Sequence, residues 1–237
     1  MAVACFQLKH QSASFEFFLW LVLVKAMGAT KVVIDPSSPK LKWYSQKGLN
    51  RRIDNILLPG AALAGLYCKI GTYSPNMMIA RAPDLLAWVR AGKTFERLKA
   101  TKKPEDVARY TVTLRRNEMA PARNSNEEAW RTFARQIGAY VIEDYVDQPI
   151  HLHDRMALYS EAEMNFGVSN GPLAMIGFTD YPMIMFVPKG SAASATVKSG
   201  VPWGGKYPWM LSNQNMIWEQ DNLENLRACY KYMAVGR

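Results

Sequence analysis

Between Tyr110 and Val187 the chain alternates strand-like and helix-like stretches joined by short polar turns. This alternation constrains the fold more than any other feature. Tyr110–Leu114 is an aromatic and β-branched run with the character of a strand. A helix is predicted from Asn124 or Ser125, either of which can cap it, through about Ile137. Trp130, Phe133, Ala134 and Ile137 fall at its three-and-four spacing. Glu127 and Glu128 suit its positive end, and Gly138 stops it. Ala139–Ile142 reads as the next strand, 152–162 as a short helix, Asn165–Val168 as a third strand and Tyr181–Val187 as a fourth. Leu173–Phe178 reads as helix or turn. Connections this short, with helices between the strands, predict a parallel sheet. A Gly/Ser/Ala-rich connection, the run WGGKYPW, a strand-like stretch at 216–219 and a helix near Leu223–Tyr232 complete the pattern.

The first hundred residues repeat the theme. Cys5–Lys9 is strand-like, and 14–28 forms a helix that is apolar almost all round and ends at Gly28. The β-branched run 31–35, closed by Pro36, reads as a strand. A helix without a polar face belongs against a sheet. Arg51–Leu58 is apolar in part, Cys68–Gly71 is strand-like, and 83–91 is helix-like. The fold class expected is therefore α/β, a sheet with helices in each half.

The charge divides the chain at the same place. Of 29 basic and 20 acidic residues, 16 and 5 fall in residues 1–103, while 13 and 15 fall in 104–237. The polar, basic stretch 91–106 reads as a linker. A basic domain over 1–103 and a second domain over 104–237 follow. The basic half suits an anionic surface, nucleic acid or a phosphorylated small molecule. The longest uninterrupted apolar run, Phe17–Val24, has eight residues against the roughly 20 that span a bilayer. The opening MAVACFQLKH lacks the basic start and apolar centre of a signal peptide, so a cytoplasmic location is expected. Cys5, Cys68 and Cys229 make neither a disulfide framework nor a zinc knuckle.

Open α/β sheets bind ligands at the carboxyl ends of their strands. That rule selects Arg115, Arg116, Glu143, Asp144, Ser169, Asn170 and Gly171. The guanidinium fork of Arg115 or Arg116 fits phosphate, and alternation lets only one of them face a given side. Arg123, just before the predicted helix, is a further anion-binding candidate, with Asn124 beside it. Gly171 permits close backbone approach, and Pro172 suits the first turn of a helix. His151 and His153, with Asp154, can form a general base or a phosphate ligand, or can cap the helix that follows. They lack a third metal ligand, so no metal is expected. No GxxxxGK[ST], GxGxxG or HExxH pattern occurs.

The runs VTLRR (112–116), ARNSNEEAW (122–130), VIEDY (141–145), PIHLHDRMALYSEA (149–162) and MNFGVSNGP (164–172) together resemble the nucleotide-binding half of GT-B-type glycosyltransferases. FQLKHQSASFEFFLW (6–20) and NRRIDNILLPG (50–60) extend the resemblance to most of the chain. It implies two Rossmann-like parallel-sheet domains in a minimal GT-B-like arrangement, with the acceptor mainly on the first domain and a nucleotide-sugar donor mainly on the second. It also implies metal-independent transfer of a sugar to a sugar or glycan acceptor, with no cofactor. Arg115 would then contact the donor pyrophosphate, Ser169–Asn170–Gly171 would close over phosphate or sugar, and Glu143 and Asp144 would lie near the ribose. The catalytic set is Arg115, His153 and Asp154. Arg116, Arg123, Asn124, Glu143, Asp144, His151, Ser169, Asn170 and Gly171 form the substrate-binding set. His10, Glu16, Asp35 and Asp54 are the first half's candidates for a base, none singled out. At 237 residues the chain is short for that family. Two other readings therefore stay open: a degenerate nucleotide- or glycan-binding or assembly protein, and a nucleic-acid-binding protein acting through 1–103. A homo-oligomer is a further open partner. The aromatics Trp203, Tyr207 and Trp209 suit a sugar-stacking surface, a subunit contact or core packing.

Overall fold

A computed structural model describes residues 2–37, 39, 45–80, 82–105, 107–117, 120–143, 149–198 and 200–235. Asp144, Trp43 and Tyr44 lie outside the described residues. The chain divides into two compact units. Unit 1 comprises Met1–Lys103, Tyr145–Ala157 and Phe178–Asp180, and unit 2 comprises Pro104–Asp144, Leu158–Gly177 and Tyr181–Arg237.

Unit 1 is built on a three-stranded parallel sheet of order β1-β2-β3, from β1 (Ala2–Gln7), β2 (Ala29–Asp35) and β3 (Tyr67–Ile70). Helix α1 (Glu16–Ala26) joins β1 to β2 as the sequence predicts. Seven of its eleven residues are buried, Phe17 to Val24 apart from Leu19. Phe6 of β1 meets Phe17 edge-on at 4.8 Å, so one side of the helix packs on the sheet. Another side meets α3 (Leu58–Leu63), where a Cβ on Gly60 would stand 3.0 Å from the Phe18 ring. Helix α4 (Ala82–Arg90) packs against α1 as well. That enclosure is why the helix carries no polar stripe. The stretch at 51–58 belongs to a longer helical run: α2 (Gln46–Arg52) continues through a π-helical turn, Ile53–Leu57, into α3.

Unit 2 is built on a five-stranded, all-parallel sheet of order β5-β4-β6-β7-β8. Its strands are β4 (Tyr110–Thr113), β5 (Tyr140–Ile142), β6 (Met164–Val168), β7 (Met183–Phe186) and β8 (Gln214–Ile217). Helix α5 (Glu127–Ile137) buries Trp130, Phe133 and Ala134 against it. Trp130 meets Phe186 at 5.6 Å and Phe133 meets Phe166 at 5.4 Å, both edge-on. Burying each such side chain contributes about 1.5–3 kcal/mol. The C-terminal helix α9 (Leu223–Val235) packs beside α5. Helix α6 (Leu152–Glu161) and helix α7 (Gly171–Ile176) stand before and after β6.

Three expectations shift. The cap of α5 is Asn126, whose side chain accepts from Ala129 N, and not Asn124 or Ser125, which are held in the preceding loop. Gly138 ends the helix as predicted, at φ +65°, a left-handed conformation that glycine adopts without a steric penalty. The Gly/Ser/Ala-rich connection contains a helix, α8 (Ser191–Lys198). Its contact side is made of small groups, Ala192, Ala193 and Thr196, which give a weak periodic signal. The last strand starts two residues earlier than the apolar run suggests, because Gln214 is fully buried and its Nε2 donates to the carbonyls of Ile176 and Tyr181, each at 3.0 Å. Among the described residues no helix is long and apolar enough to cross a membrane.

Candidate functional site

The parallel register of unit 2 lines up Thr113, Gly167, Met185 and Met216 across four strands. Two residues further on, at the carboxyl edge, the same row reads Arg115, Ser169, Val187 and Trp218. The ladder reaches this edge, since Ser169 N donates to Phe186 O at 2.7 Å and Val187 N to Ile217 O at 2.8 Å. A Cβ on Gly167 would stand 2.7 Å from the Thr113 carbonyl, so glycine is needed for β6 to lie this close to β4.

The chain leaving β4 is folded back by side-chain hydrogen bonds. Ser125 Oγ accepts from Arg115 N at 2.9 Å, and Ser125 N donates to Arg115 O at 3.1 Å. Asn124 Oδ1 accepts from Asn117 N and from Arg115 Nη1, both at 2.8 Å. Arg115 Nη1 also donates to Ala120 O at 3.3 Å. Asn124 therefore aims the Arg115 guanidinium. The loop contains a 3-10 turn, Pro121–Arg123, that packs against α8.

Arg115 and Arg123 lie close enough to repel. Burial, with the Arg123 charge second, pushes Arg115 down to about 10. Arg123 Nε is buried and has no hydrogen-bond partner among the described residues. Among the described residues neither guanidinium has a carboxylate partner. An unmet buried donor costs roughly 1–3 kcal/mol, and two adjacent cations add repulsion. An anion seated between them would remove both penalties.

Arg116 stands in a different environment. It pairs with Glu127 and, at 2.8 Å, with Glu143, while Arg131 pairs with Glu127 at 2.8 Å and with Glu143 at 2.6 Å. These four residues close a ring of alternating charge from the end of β4 to α5 and the end of β5. The two arginines hold Glu127 down at about 2, Arg116 contributing most. Arg116 and Glu143 thus meet each other's charge within the protein. Glu127 is expected from sequence only as an acid at the positive end of α5, and its pairing with Arg131 is not anticipated, although their i, i+4 spacing on α5 is a legible signal.

Ser169 and Asn170 are nearly buried. Asn170 Oδ1 caps α7 by accepting from Leu173 N at 2.8 Å, and Pro172 lies in the first turn of that helix, as predicted. Ser169 Oγ lies 3.3 Å from Thr196 Oγ1 of α8. Helix α8 therefore touches both the turn that carries Arg123 and the loop that carries Ser169. Thr196 and α8 are site components that the sequence reading missed.

His151, His153 and Asp154 lie in unit 1. Their imidazoles stack at 5.3 Å. His153 Nδ1 lies 2.5 Å from Thr101 Oγ1, and Asp154 pairs with Lys102. Burial, then His151 and Lys102, lower the His153 pKa, against a smaller opposing effect of Asp154. Elsewhere in unit 1, Asp35 at the end of β2 accepts from Ser37 N at 2.9 Å, from the Ser37 hydroxyl and from Tyr73 N at 3.0 Å. Burial works against its charge, but these hydrogen bonds outweigh it and keep the carboxyl below its ordinary value. Glu16 opens α1, just past the carboxyl end of β1, and is exposed, with Ser12 Oγ donating to it at 3.3 Å. Among the described residues no three His, Cys, Asp or Glu side chains are grouped as a metal site.

No protein-family model and no curated protein sequence matches this chain. Among solved structures it is similar to E. coli heptosyltransferase WaaC with ADP-2-deoxy-2-fluoro heptose and to the same enzyme with ADP. In each case the TM-score is 0.52 and the identity 13%, over 100% of both chains. The fold is thus α/β with two parallel-sheet units and is GT-B-like, as the sequence motifs implied. At this identity the likeness establishes the fold alone.

Proposed function

We propose that the chain is a glycosyltransferase whose second unit holds a nucleoside diphosphate sugar. One observation carries the reading: a half-buried arginine pair, Arg115 and Arg123, lacks a carboxylate partner among the described residues at the carboxyl edge of a parallel sheet. The pair supplies the charge that a diphosphate requires. Ser169, Asn170 and Gly171 line the same edge, and α8 ties their loop to the arginine turn. The similar structures bind ADP or an ADP-sugar, which makes adenosine the first nucleoside to try.

In the reaction an acceptor hydroxyl oxygen attacks the anomeric carbon of the donor. The new C–O bond forms as the bond from that carbon to the β-phosphate oxygen breaks, and the nucleoside diphosphate leaves with the electron pair. Arg115 and Arg123 stabilise the charge that develops on the leaving group. The hydroxyl proton passes to solvent water. Asp35 is saturated by three hydrogen bonds and serves as a brace. His151, His153 and Asp154 act as a clasp between α6 and the Thr101–Lys102 segment rather than as catalytic groups.

Thermal-shift titration with ADP, UDP, GDP, CMP and dTDP tests the donor site. A ligand that binds only the native state adds about 2.7 kcal/mol at a hundred times its Kd. One nucleotide is expected to raise the Tm of the wild type and to leave folded Arg115→Ala unchanged. A folded wild type that responds to none of the five would overturn the reading in favour of a non-catalytic assembly protein.

A further inference from the structure

The segment Pro202–Trp209 holds one large side chain out in solvent, and the surrounding contacts show that this is a built position. Trp203 is 58% exposed. Its ring leans on Trp218 at 5.1 Å with a 45° tilt. Trp218 is almost buried, and its Nε1 donates to Gly205 O at 2.7 Å. Lys206 Nζ donates to Leu211 O at 2.8 Å and to Gln214 O at 3.1 Å. Tyr207 stacks on Trp209 at 4.8 Å. The turn is tight, for a Cβ on Gly205 would stand 2.9 Å from the Pro202 ring. Five separate contacts therefore stiffen a short loop whose largest residue gains little burial from being there.

Trp218 belongs to the carboxyl-edge row that also contains Ser169 and Arg115. Strands in a sheet lie about 4.8 Å apart, so Ser169 and Trp218, two strands apart, are separated by roughly 10 Å along that edge. A sugar ring joined to a diphosphate on the β4 and β6 side would extend toward the Trp203 face. Indole offers a flat, electron-rich surface to the polarised C–H bonds of a pyranose ring. Preorganisation lowers the entropic cost of ordering such a contact, which matters most for a small ligand.

We infer that Trp203 is a carbohydrate-stacking subsite, held in place by Trp218 and Lys206, which receives the sugar ring of the substrate. Assigning that ring to the donor rests on the proposed function. The stacking surface itself does not.

Two measurements separate the two claims. Saturation-transfer NMR with methyl α-mannoside and methyl α-glucoside reads the platform without any nucleotide. Wild type is expected to transfer magnetisation to the C–H face of at least one glycoside. Trp203→Ala is expected to weaken that binding by at least about 3-fold, and Trp203→Phe, which keeps a flat ring, to restore most of it. The thermal shift given by a nucleoside diphosphate alone reads the arginine pair and is expected to be the same in Trp203→Ala as in wild type. Glycoside signals absent from wild type, or unchanged by Trp203→Ala, would overturn the platform, as would self-association in sedimentation that Trp203→Ala abolishes. A nucleotide response that fails while the Trp203-dependent glycoside signal persists would sink the donor reading alone and leave the platform supported.

Discussion

The indole Nε1 of Trp130 donates to Asp221 Oδ2 at 2.8 Å, a bond that joins α5 to the turn after β8 across 91 residues of sequence. The same oxygen accepts from Asn126 N, the cap residue of α5, at 2.7 Å. A buried carboxylate thus satisfies two donors at once and places negative charge at the positive end of a helix. Asp221→Ala would orphan both donors and is expected to cost roughly 2–4 kcal/mol. Asp221→Asn keeps an acceptor oxygen and is expected to recover most of that loss. Chemical denaturation of the three proteins reads the difference, and equal losses for both variants would contradict this account.

Arg115 and Arg116 are neighbours in sequence with opposite expected behaviour. Arg116→Met breaks the ring with Glu127 and Glu143 and is expected to lower stability by about 1 kcal/mol, leaving nucleotide affinity unchanged. Arg115→Met removes a charge with no carboxylate partner among the described residues. It is expected to leave stability unchanged or raised, and to weaken nucleotide binding roughly 10- to 100-fold. Paired melting curves and binding isotherms for the two variants check the contrast. The reverse pattern would exchange their roles.

Acid should act on the ring only at low pH. Glu127 is held at about 2 in the folded protein, against an ordinary value of 4.5. A carboxyl lowered on folding contributes stability that is complete above about pH 4.5 and is lost as pH falls through about 2. Melting temperature measured from pH 5 to pH 2 is expected to fall less steeply in Glu127→Gln than in wild type. Parallel curves would show that the ring does not couple to folding.

A second pH effect belongs to unit 1. Folding lowers the His153 pKa from 6.5, so the unfolded chain takes up its proton first. Stability is therefore expected to decline as pH drops below about 6.5, with His151 and Lys102 opposing the new charge and Asp154 partly offsetting them. His153→Gln is expected to flatten the Tm profile between pH 7.5 and 5.5. An unchanged slope would place the titration elsewhere.

Local chemistry made much of the fold legible. The stripe Trp130, Phe133, Ala134 and Ile137, the stop at Gly138 and the β-branched strands of both sheets follow from short-range periodicity and backbone preference. The all-round apolar helix α1 announced its own burial. Other features had no local signal. The small side chains of α8 carry little hydrophobic contrast, and the boundary of β8 depends on Gln214 finding two distant carbonyls. Capping by Asn126 rather than Asn124 was settled by the demand of Arg115 and Asn117 for the Asn124 oxygen.

The sequence by itself determined where chemistry could sit. Arg115, Ser169 and Asn170 lie where strands end and Arg123 lies just before a helix, because strand propensity and turn residues are encoded locally. Only the tertiary structure decided which charges were already met. Arg115 and Arg116 are the same residue type one position apart, and nothing in their neighbours' identities separates them. The carboxylates that neutralise Arg116 come from α5 and the end of β5, 11 and 27 residues away. Burial beside Arg123 leaves Arg115 charged with no carboxylate opposite it among the described residues. Electrostatic pairing depends on distance in space, which chain order does not specify.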